Sequence, residues 1–156
     1  MYKKIINPWL GVEGYNCFAC CPTNSIGLHL DLYEDGEDIV TRWQPNDNFQ
    51  SYVNTLHGGI QSLLMDELAG WVISRKLQTI GVTSKMEVKY IKPVSTKNKV
   101  ITVKARLNKM MRHVAFIDAE IYDETDTLCT QGQLVYFCKT KEQAATEGFP
   151  GCEVEE

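Results

Sequence analysis

The sequence predicts an α+β fold in which an antiparallel sheet wraps around one long central helix. From Leu56 to about Lys76, apolar residues recur at helical spacing and leave little polar surface. Segments in which apolar and polar residues alternate lie before and after this helix, and such alternation indicates strands with one wet face. A helix this apolar needs to be covered, and the apolar faces of the strands can cover it.

The strands are assigned in chain order. Residues 27–45 predict two strands around an Asp-Gly turn, and residues 46–55 form an extended lead into the helix. The segment 81–94 alternates, and one of its faces is expected to carry Val82, Met86, Val88 and Tyr90. Turn-like NKMMRH and DETDT separate three further strands, linked as hairpins, at residues 100–107, 114–123 and 128–137. This order of elements is that of the hotdog fold.

Length and composition bound the domain organisation and the class of function. The 156 residues suit one domain, with a cysteine-containing N-terminal extension over about residues 1–26 and a C-terminal tail over about residues 142–156. A net charge of -4 argues against nucleic-acid binding, which favours a basic face. With no secretion signal and no apolar run of about 20 residues, we expect a cytoplasmic protein that does not enter a membrane.

The six cysteines are spread unevenly, and Cys17, Cys20 and Cys21 form a cluster near the N-terminus. Without an export signal, free thiols are expected. The CFACC segment contains a CxxC spacing, which suits half of a zinc site or a redox pair. A zinc site needs a second pair of ligands, and no CxxC or HxxxH follows. We therefore expect structural cysteines and no metal site.

A His-Gly-Gly motif, His57 to Gly59, opens the helix. The first N–H groups of a helix have no partner within it, and the dipole makes this end partly positive. Because Gly58 and Gly59 lack side chains, a carbonyl oxygen or an oxyanion can approach those amides. Alternatively, the glycines only ease the packing of the chain. The dipole disfavours a charged His57, which is expected to be structural or a polarising donor.

Asp66 lies in the middle of the helix, in a stripe of small residues. A carboxylate in an apolar helix is costly unless it is paired or used, so Asp66 is a candidate acid or base. Alternatively, it is a buried acid satisfied by Thr83, Gln61 or a partner lysine. The stripe consists of Gly59, Ser62, Asp66 and Gly70.

The spacing of the motif has a geometric consequence. His57 and Asp66 are nine residues apart, which on a helix is about 13.5 Å and opposite sides of the axis. The amides at the start of the helix and the Asp66 carboxylate of the same chain therefore cannot both contact one substrate carbonyl. If both serve one site, two chains build it, and we expect a homodimer or a dimer of dimers. Glu67 lies about 100° around the helix from Asp66, where a rim or salt-bridge role fits it better.

These features together resemble the PaaI-like branch of hotdog acyl-CoA thioesterases. The resemblance covers about Cys17 to Phe137. It rests on the Cys-Phe-x-Cys segment with a following Asn and Gly-Leu, on HGG with an acid nine residues after the His, and on the VTSKMEVKYIKPV strand. It implies hydrolysis of acyl-CoA thioesters to free acid and CoA.

The resemblance also implies roles for single residues. Asp66 matches the family's catalytic acid, which acts as general base on water or as nucleophile on the thioester carbonyl. Gly58 matches the amide donor that polarises this carbonyl, and His57 matches the motif histidine. Thr83 matches a Ser or Thr position that helps to orient the water.

Contacts to the substrate are less specific in the sequence. Many relatives place an Asn six residues before the motif His, where this chain has Ser51, and Asn54 lies nearby at another spacing. The phosphates of CoA favour a basic edge, for which Lys92, Arg112 and Lys109 are candidates, although each is also an ordinary solvated charge. Some large side chains either shape an acyl pocket or belong to the core: Phe49, Met65 and Trp71. The expected substrate-binding residues are Gly59, Ser62, Asn54, Lys92 and Arg112.

The implied reaction needs no cofactor. A thioester is already an activated acyl group, so water, a carboxylate and one or two amide donors suffice. Two other functions fit a hotdog protein: an acyl-CoA hydratase or dehydratase, and a non-catalytic acyl-CoA binding module. The HGG motif with its acid argues against the first, and the lack of an attached regulatory domain argues against the second.

Overall fold

The computed structural model of the protein describes all 156 residues. It contains seven strands, two α-helices and a short 3-10 helix at Asp47–Phe49. In chain order the other elements are β1 (Lys3–Lys4), β2 (Tyr33–Asp35), β3 (Asp38–Trp43), α1 (Gly58–Lys76), β4 (Gly81–Tyr90), β5 (Ile101–Met111), β6 (Val114–Tyr122), β7 (Leu128–Cys138) and α2 (Lys141–Thr146). The predicted α+β class with one long helix is confirmed.

The seven strands form one antiparallel sheet in the order β1-β2-β3-β5-β6-β7-β4. Helix α1 lies against every strand from β3 to β7, so the sheet wraps around it. This is the expected hotdog arrangement. Strand β4 follows α1 in the chain but lies at the far edge of the sheet, where only β7 pairs with it.

The core lies between α1 and the inner face of the sheet. Alternate residues of β5 and β6 are buried there, as the period of two in the sequence predicts: Ile101, Val103, Ala105, Ala115, Ile117, Ala119 and Ile121. On β7 the same face carries Gly132, where an added Cβ would come within 3.0 Å of the Sδ atom of Met65. The glycine therefore allows α1 to approach the sheet closely.

The expected face of β4 is wrong at Val82. The register of the β4–β7 pair shifts between Thr83 and Lys85, which marks a β-bulge. A bulge adds one residue to one strand, so the alternation changes phase across it. Met86 and Val88 pack against the core as predicted, whereas Val82 points outward and is 60% exposed. Thr83 takes the inward position beside α1 instead.

The segment NKMMRH is mostly strand rather than turn. Strand β5 continues to Met111, and only Arg112 and His113 form the hairpin turn to β6. Arg112 adopts a left-handed conformation with φ of 55°, which suits a two-residue hairpin loop. Beyond a bulge between Leu107 and Lys109, residues 109–111 pair with β6, so strand pairing outweighs the turn-like composition of the segment.

Both terminal segments contribute to the core. In the N-terminal extension, Ala19 and Cys20 are buried within the main hydrophobic cluster. In the segment expected as a tail, α2 begins with a capping box formed by Thr140 and Gln143. Ala144, Phe149 and Cys152 are buried in the same cluster. No helix of the protein is long and apolar enough to cross a membrane.

Candidate active site

The start of α1 is fixed by the side chain of His57. Its Nδ1 atom accepts a hydrogen bond of 2.8 Å from the Gly59 N–H. A ring nitrogen that accepts carries no proton, so the neutral ring holds its proton on Nε2. The Gly59 amide is thereby occupied, whereas the Gly58 N–H has no acceptor within the chain. Of the two amides considered for an oxyanion, only that of Gly58 is free.

Tyr90, at the end of β4, covers the first turn of α1. Its hydroxyl donates to the Gly58 carbonyl at 2.8 Å and lies 2.9 Å from the Ser62 hydroxyl. A Cβ on Gly58 would lie 3.3 Å from the Tyr90 ring, so the glycine makes room for it. Ser62 and Gly58 are thus tied to the edge of the sheet through one tyrosine.

The carboxylate of Asp66 is partly buried and faces the other end of β4. Its Oδ1 atom accepts from the Thr83 hydroxyl at 2.7 Å and from the Tyr136 hydroxyl at 2.6 Å. The Tyr136 hydroxyl also lies 2.8 Å from the Asp66 carbonyl oxygen. The protein directs both donors at Oδ1, and Oδ2 takes no hydrogen bond from the chain.

Tyr136 is the site residue that sequence reasoning missed. It lies on β7, in the inward phase of the strand, 70 residues from Asp66. Burial and the hydrogen bond to Asp66 raise the pKa of Tyr136 well above its usual range, so the phenol stays protonated and donates. The signal in the sequence is a hydroxyl at an inward position of the strand, and it does not show which group the hydroxyl meets.

Of the partners considered for a buried Asp66, Thr83 bonds to it and Gln61 does not. Gln61 is buried, and its side chain accepts from the Thr130 hydroxyl and donates to the Leu56 carbonyl. Both polar ends of the amide are therefore satisfied within the core. Asp66 is left with hydroxyl donors only, and no cation of the same chain pairs with it.

Of the rim and salt-bridge roles expected for Glu67, the salt bridge is absent, because Glu67 forms no ion pair within the chain. Its Oε1 atom accepts from the Trp71 indole N–H at 2.9 Å, one helical turn later. The thiol of Cys17 lies 3.6 Å from the same oxygen. The two neighbouring acids thus face different parts of the molecule, because a step of one residue turns the side chain by about 100°.

The expected substrate contacts do not converge within one chain. Asn54 is exposed in the loop before α1, with φ of 62°, and its carbonyl accepts from the Thr96 N–H, so it acts there as a turn residue. Lys92 pairs with Asp123 at 3.6 Å beyond the Tyr90 end of β4. Arg112 occupies the hairpin turn near the Gly81 end, where Val114 and Val82 both pair with Phe137. The two cations lie at opposite ends of the sheet.

The large apolar residues near α1 divide between core and surface cavity. Met65 is fully buried and Trp71 is 5% exposed, so both belong to the core. Phe49 packs on Trp43 and lines a cavity of about 300 Å³ beside the start of α1. The remaining lining residues are Asn48, Gln50, His57, Gly59 and Ile60. Lys109, the third candidate cation, lies over the Phe116 ring on the sheet.

The family model described as the thioesterase superfamily matches residues 53–130, half of the chain. This chain belongs to the thioesterase superfamily. The matched residues contain the HGG motif, α1 with both acids, and β4 with Thr83 and Tyr90. The predicted resemblance to PaaI-like hotdog thioesterases is confirmed. No curated protein matches the sequence.

Solved structures share the fold at low sequence identity. A hypothetical thioesterase from Streptococcus pneumoniae TIGR4, solved with coenzyme A, is 20% identical, with a TM-score of 0.65 over 70% of this chain and 85% of its own. The protein smu.793 from Streptococcus mutans UA159, bound to acetyl CoA, is 15% identical, with a TM-score of 0.68 over 84% and 98%. PaaI from the E. coli phenylacetic acid degradation operon is 15% identical, with a TM-score of 0.66 over 72% and 81%.

Proposed function

We propose that this protein hydrolyses acyl-CoA thioesters to free acid and CoA, with Asp66 as the catalytic carboxylate. The observation that carries the proposal is the arrangement around this carboxylate. Thr83 and Tyr136 both donate to Oδ1, and Oδ2 is left without a donor from the chain. Such a carboxylate is held in one orientation with one basic oxygen free, which is what proton abstraction from water or direct attack requires.

The second half of the proposed site is the free amide of Gly58. A thioester carbonyl that receives a hydrogen bond from this N–H is polarised, and the oxyanion that forms on attack is stabilised at the positive end of α1. His57 supports this role because its ring occupies the Gly59 amide and fixes the first turn. Its Nε2–H remains as a further donor. Among substrate contacts, Ser62, Gly59 and Asn54 stay candidates at this end of α1.

The two halves are proposed to meet across a dimer. Gly58 is eight residues from Asp66, about 12 Å along the helix, and each contacts a different end of β4. Strand β4 has an unpaired edge, and its Val82 and Tyr90 are 60% and 51% exposed. If two copies of β4 pair antiparallel about a two-fold axis near residue 86, Thr83 of one copy lies opposite Tyr90 of the other. Asp66 of one copy would then face Gly58 of the second copy, twice per dimer.

Two further properties belong to this proposal. An acyl-CoA substrate carries phosphates, which cations can bind. Lys92 and Arg112 lie at opposite ends of β4, and the same antiparallel pairing brings Lys92 of one copy towards Arg112 of the other.

All six cysteines are free, which fits a reducing compartment such as the cytoplasm.

The test is hydrolysis of a panel of short, long and aromatic acyl-CoAs, followed by the released thiol. Wild type is expected to turn over members of the panel, and Asp66→Asn to lose at least about a hundredfold in kcat/KM, the scale of losing a general base. Asp118→Asn, on the outer sheet face, is the matched control. If wild type is inert while an acyl-CoA raises its melting temperature, the protein binds acyl-CoA without hydrolysing it.

A further inference from the structure

A second cluster of reactive side chains lies beside the proposed active site. The Sγ atoms of Cys17 and Cys20 and a carboxylate oxygen of Glu67 all lie within 4.8 Å of one another. Ligand atoms around a tetrahedral zinc ion, with bonds of about 2.0 to 2.3 Å, are separated by about 3.5 to 3.8 Å. The 3.6 Å between the Cys17 Sγ and the Glu67 Oε1 is already of this size.

A turn of the backbone holds the two cysteines of the cluster together. The Cys21 N–H closes this turn on the Cys17 carbonyl at 3.0 Å. The Sγ atoms of Cys17 and Cys20 lie within 4.8 Å of each other. Two sulfur ligands separated by two residues in one turn are a common arrangement in zinc sites.

The charge of the cluster is not balanced by the protein. The cavity of about 220 Å³ that these groups line contains no Lys, Arg or His. If both thiols ionise, they and the carboxylate repel one another in this half-buried position, and a divalent cation removes that repulsion. A redox-active CxxC pair normally has a cation or a helix N-terminus beside it, whereas this pair has an acid.

We infer that Cys17, Cys20 and Glu67 bind one Zn²⁺ ion, with the fourth coordination position open to the adjacent cavity. Two thiolates and a carboxylate suit zinc, which accepts sulfur and oxygen ligands in tetrahedral geometry. Binding releases the thiol protons to solvent and changes no oxidation state. The ion joins the N-terminal extension to the middle of α1, and this part of the extension lies outside the residues that match the family.

Two neighbouring residues are arranged as supports for the ligands. The Trp71 indole N–H donates to the Glu67 carboxylate at 2.9 Å and fixes its orientation. The Tyr15 hydroxyl lies 3.0 Å from the Cys20 Sγ, where it can donate to a thiolate. Metal ligands are commonly held in this way by groups that do not touch the ion.

The experiment is metal titration of the full chain after reduction and removal of metal with a chelator. Zn²⁺ is added in competition with a chromophoric chelator, and Co²⁺ is added separately because thiolate ligation gives it a characteristic absorption. We expect one equivalent of tightly bound Zn²⁺, a thiolate–Co²⁺ band and a rise in melting temperature with Zn²⁺. Loss of a supporting group costs roughly 10 to 100-fold in affinity, so Trp71→Phe should fall in that range and Cys17→Ser or Glu67→Gln should exceed it.

Cys138→Ser is the matched control, because Cys138 is also a partly buried free thiol but is not one of the three clustered ligands. It should bind Zn²⁺ as wild type does. The inference is overturned if wild type shows no thiolate–Co²⁺ band, if Cys17→Ser keeps wild-type affinity, or if Cys138→Ser loses as much as Cys17→Ser. If a cysteine variant fails to fold, the Co²⁺ spectrum of wild type still shows whether thiolates bind the metal. Acyl-CoA hydrolysis plays no part in these readouts, so this inference and the proposed function fail separately.

Discussion

Asp66 and Glu67 are neighbours in one helix, yet they lie in different surroundings. Asp66 faces the open edge of the sheet, where two hydroxyl groups hold one of its oxygens. Glu67 faces the N-terminal extension, where it meets an indole N–H and a thiol. Neither acid has a cation of its own chain. The proposed catalytic group and the proposed metal ligand therefore differ in their surroundings, which distant segments of the chain supply.

The largest expected effect separates the two acids by turnover. Asp66→Asn should lower kcat/KM for a hydrolysed acyl-CoA by at least about a hundredfold. Glu67→Gln should lower it much less, by under about tenfold, because the Glu67 carboxylate contacts Trp71 and Cys17 and has no hydrogen bond to Thr83 or Tyr136. Activity is measured by thiol release, and circular dichroism checks that both variants are folded. Equal losses of activity in two folded variants would contradict the different roles proposed for the two acids.

The edge of β4 provides the next test. The proposed site at Asp66 needs a second chain paired at this edge, whereas the cluster at Glu67 lies within one chain. Replacing the exposed Val82 by Asp places a charge on the apolar edge and should weaken self-association by about tenfold or more, the scale of burying one valine. Specific activity should then fall on dilution together with the dimer. Analytical ultracentrifugation over a concentration series measures the first, and activity in the same samples measures the second. A monomer with full activity would contradict the two-chain site.

Each acid has one aromatic donor, and removing these donors gives a matched pair of variants. Tyr136→Phe should lower kcat about tenfold with little change in KM, since a hydrogen bond to a charged group is worth about 1.5 kcal/mol or more. Thr83→Val should act alike, and Thr83→Ser should restore activity because it keeps the hydroxyl. Trp71→Phe should weaken Zn²⁺ binding instead. Steady-state kinetics of all four variants tests these separate roles. A loss of kcat in Trp71→Phe as large as that in Tyr136→Phe would contradict them.

The smallest effect concerns a third carboxylate, which hydrogen bonds hold in a turn. A hydrogen bond from Thr125, with the Thr127 and Thr125 amides and Lys92, lowers the pKa of Asp123 to about 2. The unfolded value is near 3.9, so this stabilisation is complete above about pH 5 and is lost as the pH falls through 2. Asp123→Asn should lower the melting temperature by a few degrees at neutral pH, and the difference should shrink towards pH 2. A difference independent of pH would show that charge plays no part.

The amino-acid sequence was enough to predict the long helix and the main antiparallel strands, and it named most of the residues proposed for the site. The helical period of α1, the alternation of β5 and β6 and the turn around Gly36 are local patterns, and local patterns are visible in one chain. The HGG motif and the acid nine residues after His57 lie in one predicted helix and are therefore visible in the sequence. Their separation along the axis needed only helix geometry.

Only the tertiary structure decided which groups meet. The β4 bulge turned Thr83 inward and Val82 outward, and no pattern within β4 shows such an insertion. The contact of Tyr136 with Asp66 joins residues 70 positions apart. The approach of Cys17 to Glu67 spans 50 positions and places a carboxylate beside the two thiols, although the sequence offers no second pair of cysteines. Contacts of this kind depend on sheet order and register, which the packing of the whole chain selects among many locally equivalent alternatives.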